Sequence, residues 1–211
     1  MDMRYIGMLS RKREIQFASL FLFIGVAEFM ILMFIAEFIF PGYSVSNNYI
    51  SDLGNYRMHL ASAYIFNTSI ILLGIFIILS GYFLRKFYFP LGIVFILAGI
   101  GAMGVGTFPE YYFVPHTIAA FLAFLMISIA PLFILMKIRN MNTLLWVVLG
   151  LIGLVALILY GSGHFLGLGH GGMERLIVYP NFIWALFFAG YLSGNLSQDE
   201  IIGAPKNKNP A

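Results

Sequence analysis

No cysteine occurs anywhere in the 211 residues. Disulfides, zinc–thiolate sites and iron–sulfur clusters are therefore excluded. Charge is scarce too: Asp, Glu, Lys and Arg make up 10% of the chain, against about a quarter in soluble globular proteins. Apolar residues make up 61%, with a mean hydropathy of +0.91. Strict alternation of polar and apolar residues is missing as well. The stretch 70–79 is continuously apolar, whereas strands of a transmembrane barrel alternate over about ten residues. No nucleic-acid partner is expected, because the net charge of +3 follows from where the basic residues sit.

What the chain does have is six long apolar runs, at 15–41, 61–83, 88–107, 114–136, 143–162 and 174–194. A bilayer core is roughly 30 Å thick, so ~20 apolar residues cross it as a helix. The expected fold class is an all-α integral membrane protein, a six-transmembrane-helix bundle. Ten of the twelve Lys and Arg fall at 4–13, 85–86, 137–139 and 206–208, leaving Arg57 and Arg175 on the opposite side. By the positive-inside rule both termini are cytoplasmic, N-in and C-in, and the connections 1–2, 3–4 and 5–6 face outward. The division expected is a cytoplasmic N-terminal segment (1–14), a six-helix transmembrane domain (15–194) and a polar cytoplasmic tail (195–211) predicted to be disordered. Arg11-Lys12-Arg13 precedes a run of about 27 residues. That reads as a retained helix, since a signal-peptide apolar region has only about 7–15 residues. The expected location is the cell membrane.

Helix 1 carries Glu28 near mid-depth and Glu37 close to the outer end. At 100° per residue these nine-apart positions lie on opposite faces, so one partner does not serve both. Glu28 reads either as a proton or cation site or as a protonated carboxyl bonded to a neighbouring helix. Helix 3 ends in Ala98, Ala102 and Gly106 with Gly99, Gly101 and Gly104 between them, and helix 4 offers Ala119, Ala120 and Ala123. Small residues at this spacing let membrane helices approach closely. The segment 161–172 holds many glycines, and Gly167, Gly169 and Gly172 match a dinucleotide fingerprint by letters. That fingerprint needs a preceding strand, and a membrane helix stands there instead. Tight turns or close approach to a ligand explain the glycines better. Pro180 predicts a kink in helix 6.

Every histidine and three acids gather at the outward breaks: His59, His116, His164, His170, Asp52, Glu110 and Glu174. Three chemistries fit. One is a metal site built from Asp52, His116 and Glu174, with a divalent ion as cofactor. A second is metal-free acid–base work, in which His116 pairs with Asp52 or Glu110 and activates water or a hydroxyl such as Ser44, Ser46, Ser51 or Ser162. A third is structural: Asp52 caps helix 2 or pairs with Arg57 or Arg175, and His116 bonds a loop carbonyl.

Three motifs carry a family resemblance. Asn48-Tyr-Ile-Ser-Asp-Leu-Gly54, Gly106-Thr-Phe-Pro-Glu110 followed by His116, and Glu174-Arg-Leu-Ile-Val-Tyr-Pro180 with Trp184 together resemble the prokaryotic membrane family known as domain of unknown function number 998. There is a fainter similarity to the eukaryotic Frag/DRAM/Sfk group, in the Ile-Ser-Asp stretch and in the His116-Thr-Ile-Ala-Ala-Phe segment. That group is linked to lipid handling, including remodelling of lipid anchors. The resemblance implies that Asp52, His116 and Glu174 are motif positions. His164 and His170 match nothing in it.

The combined expectation is a multi-pass protein with an outward polar pocket that binds or processes a lipid headgroup or polyisoprenoid. Asp52, His116 and Glu174 are the candidate catalytic residues. Arg57, Glu110 and Arg175 are the candidate substrate-binding residues, the arginines as anchors for an anionic phosphate. The alternatives are an accessory or scaffold subunit whose small-residue faces bind other membrane helices, and a small transporter with a polar route to Glu28. The expected partners are membrane lipids.

Overall fold

The computed structural model describes residues 3–194, with side chains from residue 11 onward. The tail at 195–211 lies outside the described residues. Six helices account for nearly all of the rest: α1 (Met3–Ile39), α2 (Leu60–Leu84), α3 (Phe89–Thr107), α4 (Phe113–Lys137), α5 (Met141–Gly161) and α6 (Gly169–Gly194). All six are long and apolar enough to cross a membrane, and the chain is a multi-pass membrane protein. Among the described residues there is no strand.

Local chemistry sets several boundaries. Asn140 caps α5 by accepting from Thr143 N at 3.0 Å, and His59 caps α2 by accepting from Ser62 N at 3.2 Å. Pro90 sits at the start of α3, where its missing N–H costs nothing. α4 runs on through Pro131 and α6 through Pro180. Two helices are longer than their apolar runs. α1 already begins at Met3, and α6 begins at Gly169 rather than 174. The early start of α6 has a local cause: Gly171 N, a first-turn donor with no helical partner, donates to Ser46 O of the 1–2 connection at 2.9 Å. The remaining turn is tight, with Gly163 and Gly167 at φ of 77° and 76°.

Each helix packs antiparallel on the next, and α1 closes the ring on α6. Ser80 of α2 donates to Ala18 O at 2.9 Å, and Ser19 of α1 donates to Ala189 O of α6 at 2.7 Å. Aromatic edges fill the interior. Phe29 meets Phe66 and Phe182, while Phe95 of α3 reaches Trp184 and Phe188 of α6 across the ring. Glycines set the closest seams. A Cβ on Gly74 would stand 2.6 Å from the Gly99 carbonyl oxygen, and one on Gly101 would stand 2.8 Å from the Ala119 carbonyl oxygen. These are the small-residue contacts expected of helices 3 and 4.

The ring gives the bundle two chemically distinct ends. Arg11, Lys12, Arg13, Arg85, Lys86, Lys137 and Arg139 stand at the end that holds the 2–3 and 4–5 connections. Asp52, Glu110 and Glu174 stand at the opposite end, with the 1–2, 3–4 and 5–6 connections. These are called the basic and acidic ends below.

Candidate functional site at the acidic end

The 1–2 connection does not merely cross the bundle mouth; it folds down into it. Its short 3-10 helix, Ser51–Gly54, buries Leu53 completely, and Ile50 is buried beside it. Asn67 of α2 donates to Gly54 O at 2.9 Å and pins the turn. Asp52 closes the same turn on itself: its Oδ2 accepts from Asn48 Nδ2 at 2.9 Å and from Tyr49 N at 3.0 Å.

Glu110 arrives from the 3–4 connection. Its Oε1 accepts from Asn55 Nδ2 at 2.7 Å and its Oε2 from Ser51 Oγ at 3.2 Å. This places it beside the Asp52 carboxyl. Burial pushes the Glu110 carboxyl above its usual range, and the adjacent Asp52 adds to the rise against the hydrogen bonds from Asn55 and Ser51. Burial also pushes the Tyr49 phenol up, and the charges of Glu174, Asp52 and Glu110 push it the same way.

Glu174 comes from α6 and is 6% exposed. Ile50 N donates to its Oε2, and the Tyr160 hydroxyl stands 3.5 Å from its Oε1. His116, in the first turn of α4, donates from Nδ1 to Phe108 O at 2.7 Å. In the neutral ring that bond assigns the lone pair to Nε2.

These groups share one space. A cleft of about 930 Å³ opens between α4 and α5 at the acidic end. Asp52, Glu110, Glu174 and His116 form its polar wall, and Phe121, Leu125, Leu154, Leu157 and Ile158 line it deeper in. A smaller apolar cavity of about 90 Å³ lies inside the ring, against Phe66, Ile70, Ala98 and Ala102. Ser51, His116, Ala120, Phe124 and Glu174 line both spaces. Nearer the basic end Gly150 of α5 meets α4: a Cβ there would be 3.0 Å from Pro131 Cγ. Beside that contact Asn181 of α6, which lines the inner cavity, donates to Ser128 Oγ at 2.9 Å and accepts from Trp184 Nε1 at 2.8 Å.

The other sequence candidates lie elsewhere. Arg175 is spent inside the protein: it pairs with Glu37 of α1 and donates to Tyr43 Oη at 2.9 Å, Val45 O at 3.0 Å and Gly171 O at 2.9 Å. Arg57 is exposed and lies 4.3 Å over the Tyr111 ring. Neither arginine lines the cleft. His164 is exposed with Nδ1 3.1 Å from Ser162 Oγ, and His170 stands 3.0 Å from the Tyr49 hydroxyl. Among the described residues no three His, Asp or Glu side chains are grouped to hold a metal ion. Both carboxyl oxygens of Glu28 are buried without a hydrogen-bond partner, and neither space reaches them.

Sequence reading missed the Glu37–Arg175 pair, the Ser128–Asn181–Trp184 chain and the parts played by Tyr49 and Tyr160. Tyrosines at helix ends look like ordinary interfacial anchors, so nothing in the letters marked these two.

A family model described as "Protein of unknown function (DUF998)" matches residues 23–191. The chain belongs to that family. No curated protein and no solved structure matches it.

Proposed function

We propose, for this member of a family without an assigned activity, that the acidic-end cleft binds the headgroup of a membrane lipid while the lipid's chain lies between α4 and α5. The single observation that carries the reading is the cleft's division into an acidic mouth and an apolar depth, on the side where the bundle faces lipid. Only 22% of the α4 and α5 spans is buried within the protein, against 56% for α3 and α6. The unsatisfied apolar surface of α4 and α5 therefore meets bilayer chains directly. The segregation of basic residues to the other end supports an outward-facing mouth with both termini cytoplasmic.

His116 is the proton carrier of this site. Its Nδ1 is held by the Phe108 carbonyl, and its Nε2 is the base available to a headgroup hydroxyl or water; Asp52 and Glu174 are the carboxylates that stabilise the resulting charge. The transporter alternative asks for a polar path to Glu28, and neither space extends to it. The scaffold alternative asks for fully paired groups and a filled interior, and the cleft argues against it.

The test is lipid retention. Protein purified in mild detergent is extracted and its bound lipid quantified by mass spectrometry, beside Ala120→Trp, which fills the region where the two spaces meet. The wild type should carry about one acyl lipid per chain, and the tryptophan variant should elute as the same species without it. Equal lipid content in the two proteins would remove the cleft from consideration.

A further inference from the structure

We infer that the headgroup taken by this cleft carries a primary ammonium, as aminophospholipids do, and that Asp52, Glu110 and Glu174 are its acceptors; this rests on the lipid-cleft reading above. The charge pattern is the first argument. Three carboxyl groups line the mouth, and no lysine or arginine does. Both cations at this end are committed, Arg175 to Glu37 and to backbone carbonyls, Arg57 to the face of Tyr111. An anionic phosphate entering the mouth would meet three acids and no lysine or arginine. That reverses the phosphate-anchor role the sequence suggested for the two arginines.

Unused acceptors are the second argument. Glu174 is more than nine-tenths buried, yet its Oε1 has only the 3.5 Å contact from Tyr160, at the outer limit for a hydrogen bond. Asp52 is 8% exposed and spends Oδ2 on Asn48 and Tyr49. No amide or hydroxyl donor among the described residues reaches its Oδ1, and the Glu110 carboxyl stands beside it. These oxygens line the cleft with lone pairs left for a donor that enters it.

Geometry is the third argument. All three acids line the cleft wall, and among the described residues no three such side chains are grouped tightly enough to hold a metal ion. An ammonium holds its acceptors at about 2.8–3.0 Å through three N–H donors, a longer reach than a metal–oxygen bond of about 2.1–2.5 Å, and so accepts a wider set of carboxyl groups. It would also relieve the mutual repulsion of Asp52 and Glu110. Below the mouth, Phe121, Leu125 and Leu154 provide an apolar track for an acyl chain.

The experiment uses delipidated full-length protein in detergent, incubated with an equimolar mixture of phosphatidylethanolamine, phosphatidylglycerol and phosphatidylcholine of matched chains. After repurification, bound lipid is counted by mass spectrometry. Phosphatidylethanolamine should be retained about tenfold over phosphatidylglycerol, equivalent to ~1.4 kcal/mol of preference. It should also exceed phosphatidylcholine, which lacks N–H donors. Glu110→Gln and, separately, Asp52→Asn should bring the ethanolamine and glycerol lipids close to parity. Equal or greater retention of phosphatidylglycerol overturns the ammonium assignment while leaving a lipid cleft standing. So does equal retention of phosphatidylcholine. An unchanged preference in both variants that fold removes the carboxylates from the site. If no lipid is retained above the level of Ala120→Trp, the lipid-cleft reading itself falls.

Discussion

The α2–α3 seam and the α4–α5 seam are built from the same kinds of residue and end differently. Between α2 and α3, Gly74 faces Gly99 and Gly81 faces Gly92, so the backbones themselves touch. Between α4 and α5 the close backbone contact is Gly150 against Ser128 and Pro131. Nearer the acidic end the facing residues are Phe121 and Leu125 on one helix and Leu154 and Ile158 on the other, and a cleft opens between them. In a membrane there is no hydrophobic force to close such a gap, because lipid chains are as apolar as leucine. A seam closes where small residues permit backbone contact and stays open where they do not. The difference between these two seams is therefore the difference between a frame and a site.

The frame should be hit hardest where it holds the acidic end together. Arg175→Ala removes the partner of half-buried Glu37 and three hydrogen bonds from α6 to α1 and the 1–2 connection, besides the one to Gly171 O within α6. Leaving one member of a buried pair alone costs ~3–5 kcal/mol, so this variant should lose its monodisperse peak in detergent. The double replacement Glu37→Gln with Arg175→Met should recover part of the loss, since no charge is then left unpaired. A single Arg175→Ala protein as heat-stable as the wild type would dissolve the distinction between frame and site.

Next in size is the glycine seam. A valine at Gly74 would press on the Gly99 carbonyl and on Met103 N, 2.8 Å from the first added carbon, with backbone on that side unable to yield. Overpacking of this kind costs ~1–3 kcal/mol. Ala120→Trp adds far more volume but adds it where space exists. Thermal unfolding of the two should separate them clearly. Equal destabilisation would mean that the cleft is as tightly held as the seam.

Smaller again is the Ser128–Asn181 contact between α4 and α6. Ser128→Ala removes the hydroxyl that accepts from Asn181 Nδ2 at 2.9 Å, while Asn181 keeps its bond to Ile177 O at 2.8 Å. Interhelical hydrogen bonds in membranes average ~0.6 kcal/mol, so the melting shift should be barely above error. A loss several times larger would show that this hydrogen bond, and not the Gly150 contact alone, holds α4 in place.

Both seams were unequally legible in the sequence. The six spans follow from hydropathy alone, and the interleaved Gly99, Gly101 and Gly104 announced close packing because only small residues allow it. Asp52, Glu110, His116 and Glu174 could be placed at one end by the positive-inside rule, which reads sides and not distances. Which acid meets which donor could not be read. Glu37 and Arg175 are separated by 138 positions, and nothing local to either one marks the other. Nor could the cleft be foreseen, since a gap depends on how two helices diverge, and periodicity within one helix carries no information about the next.

The faintest expected signal comes from the mouth of the cleft and depends on pH. Burial and the neighbouring Asp52 raise the folded-state value of Glu110 above its ordinary 4.5. Between the two values the folded protein holds a proton that the unfolded chain has lost, so stability falls as pH rises through that window and levels off above the folded value. Melting temperature followed upward from pH 4.5 should therefore decline gently in the wild type and less in Glu110→Gln. Adding phosphatidylethanolamine should flatten the wild-type decline, because an ammonium beside Glu110 favours its ionised form. A wild-type slope of the opposite sign, or one untouched by Glu110→Gln, would mean that the Asp52–Glu110 pair carries no strain for a ligand to relieve.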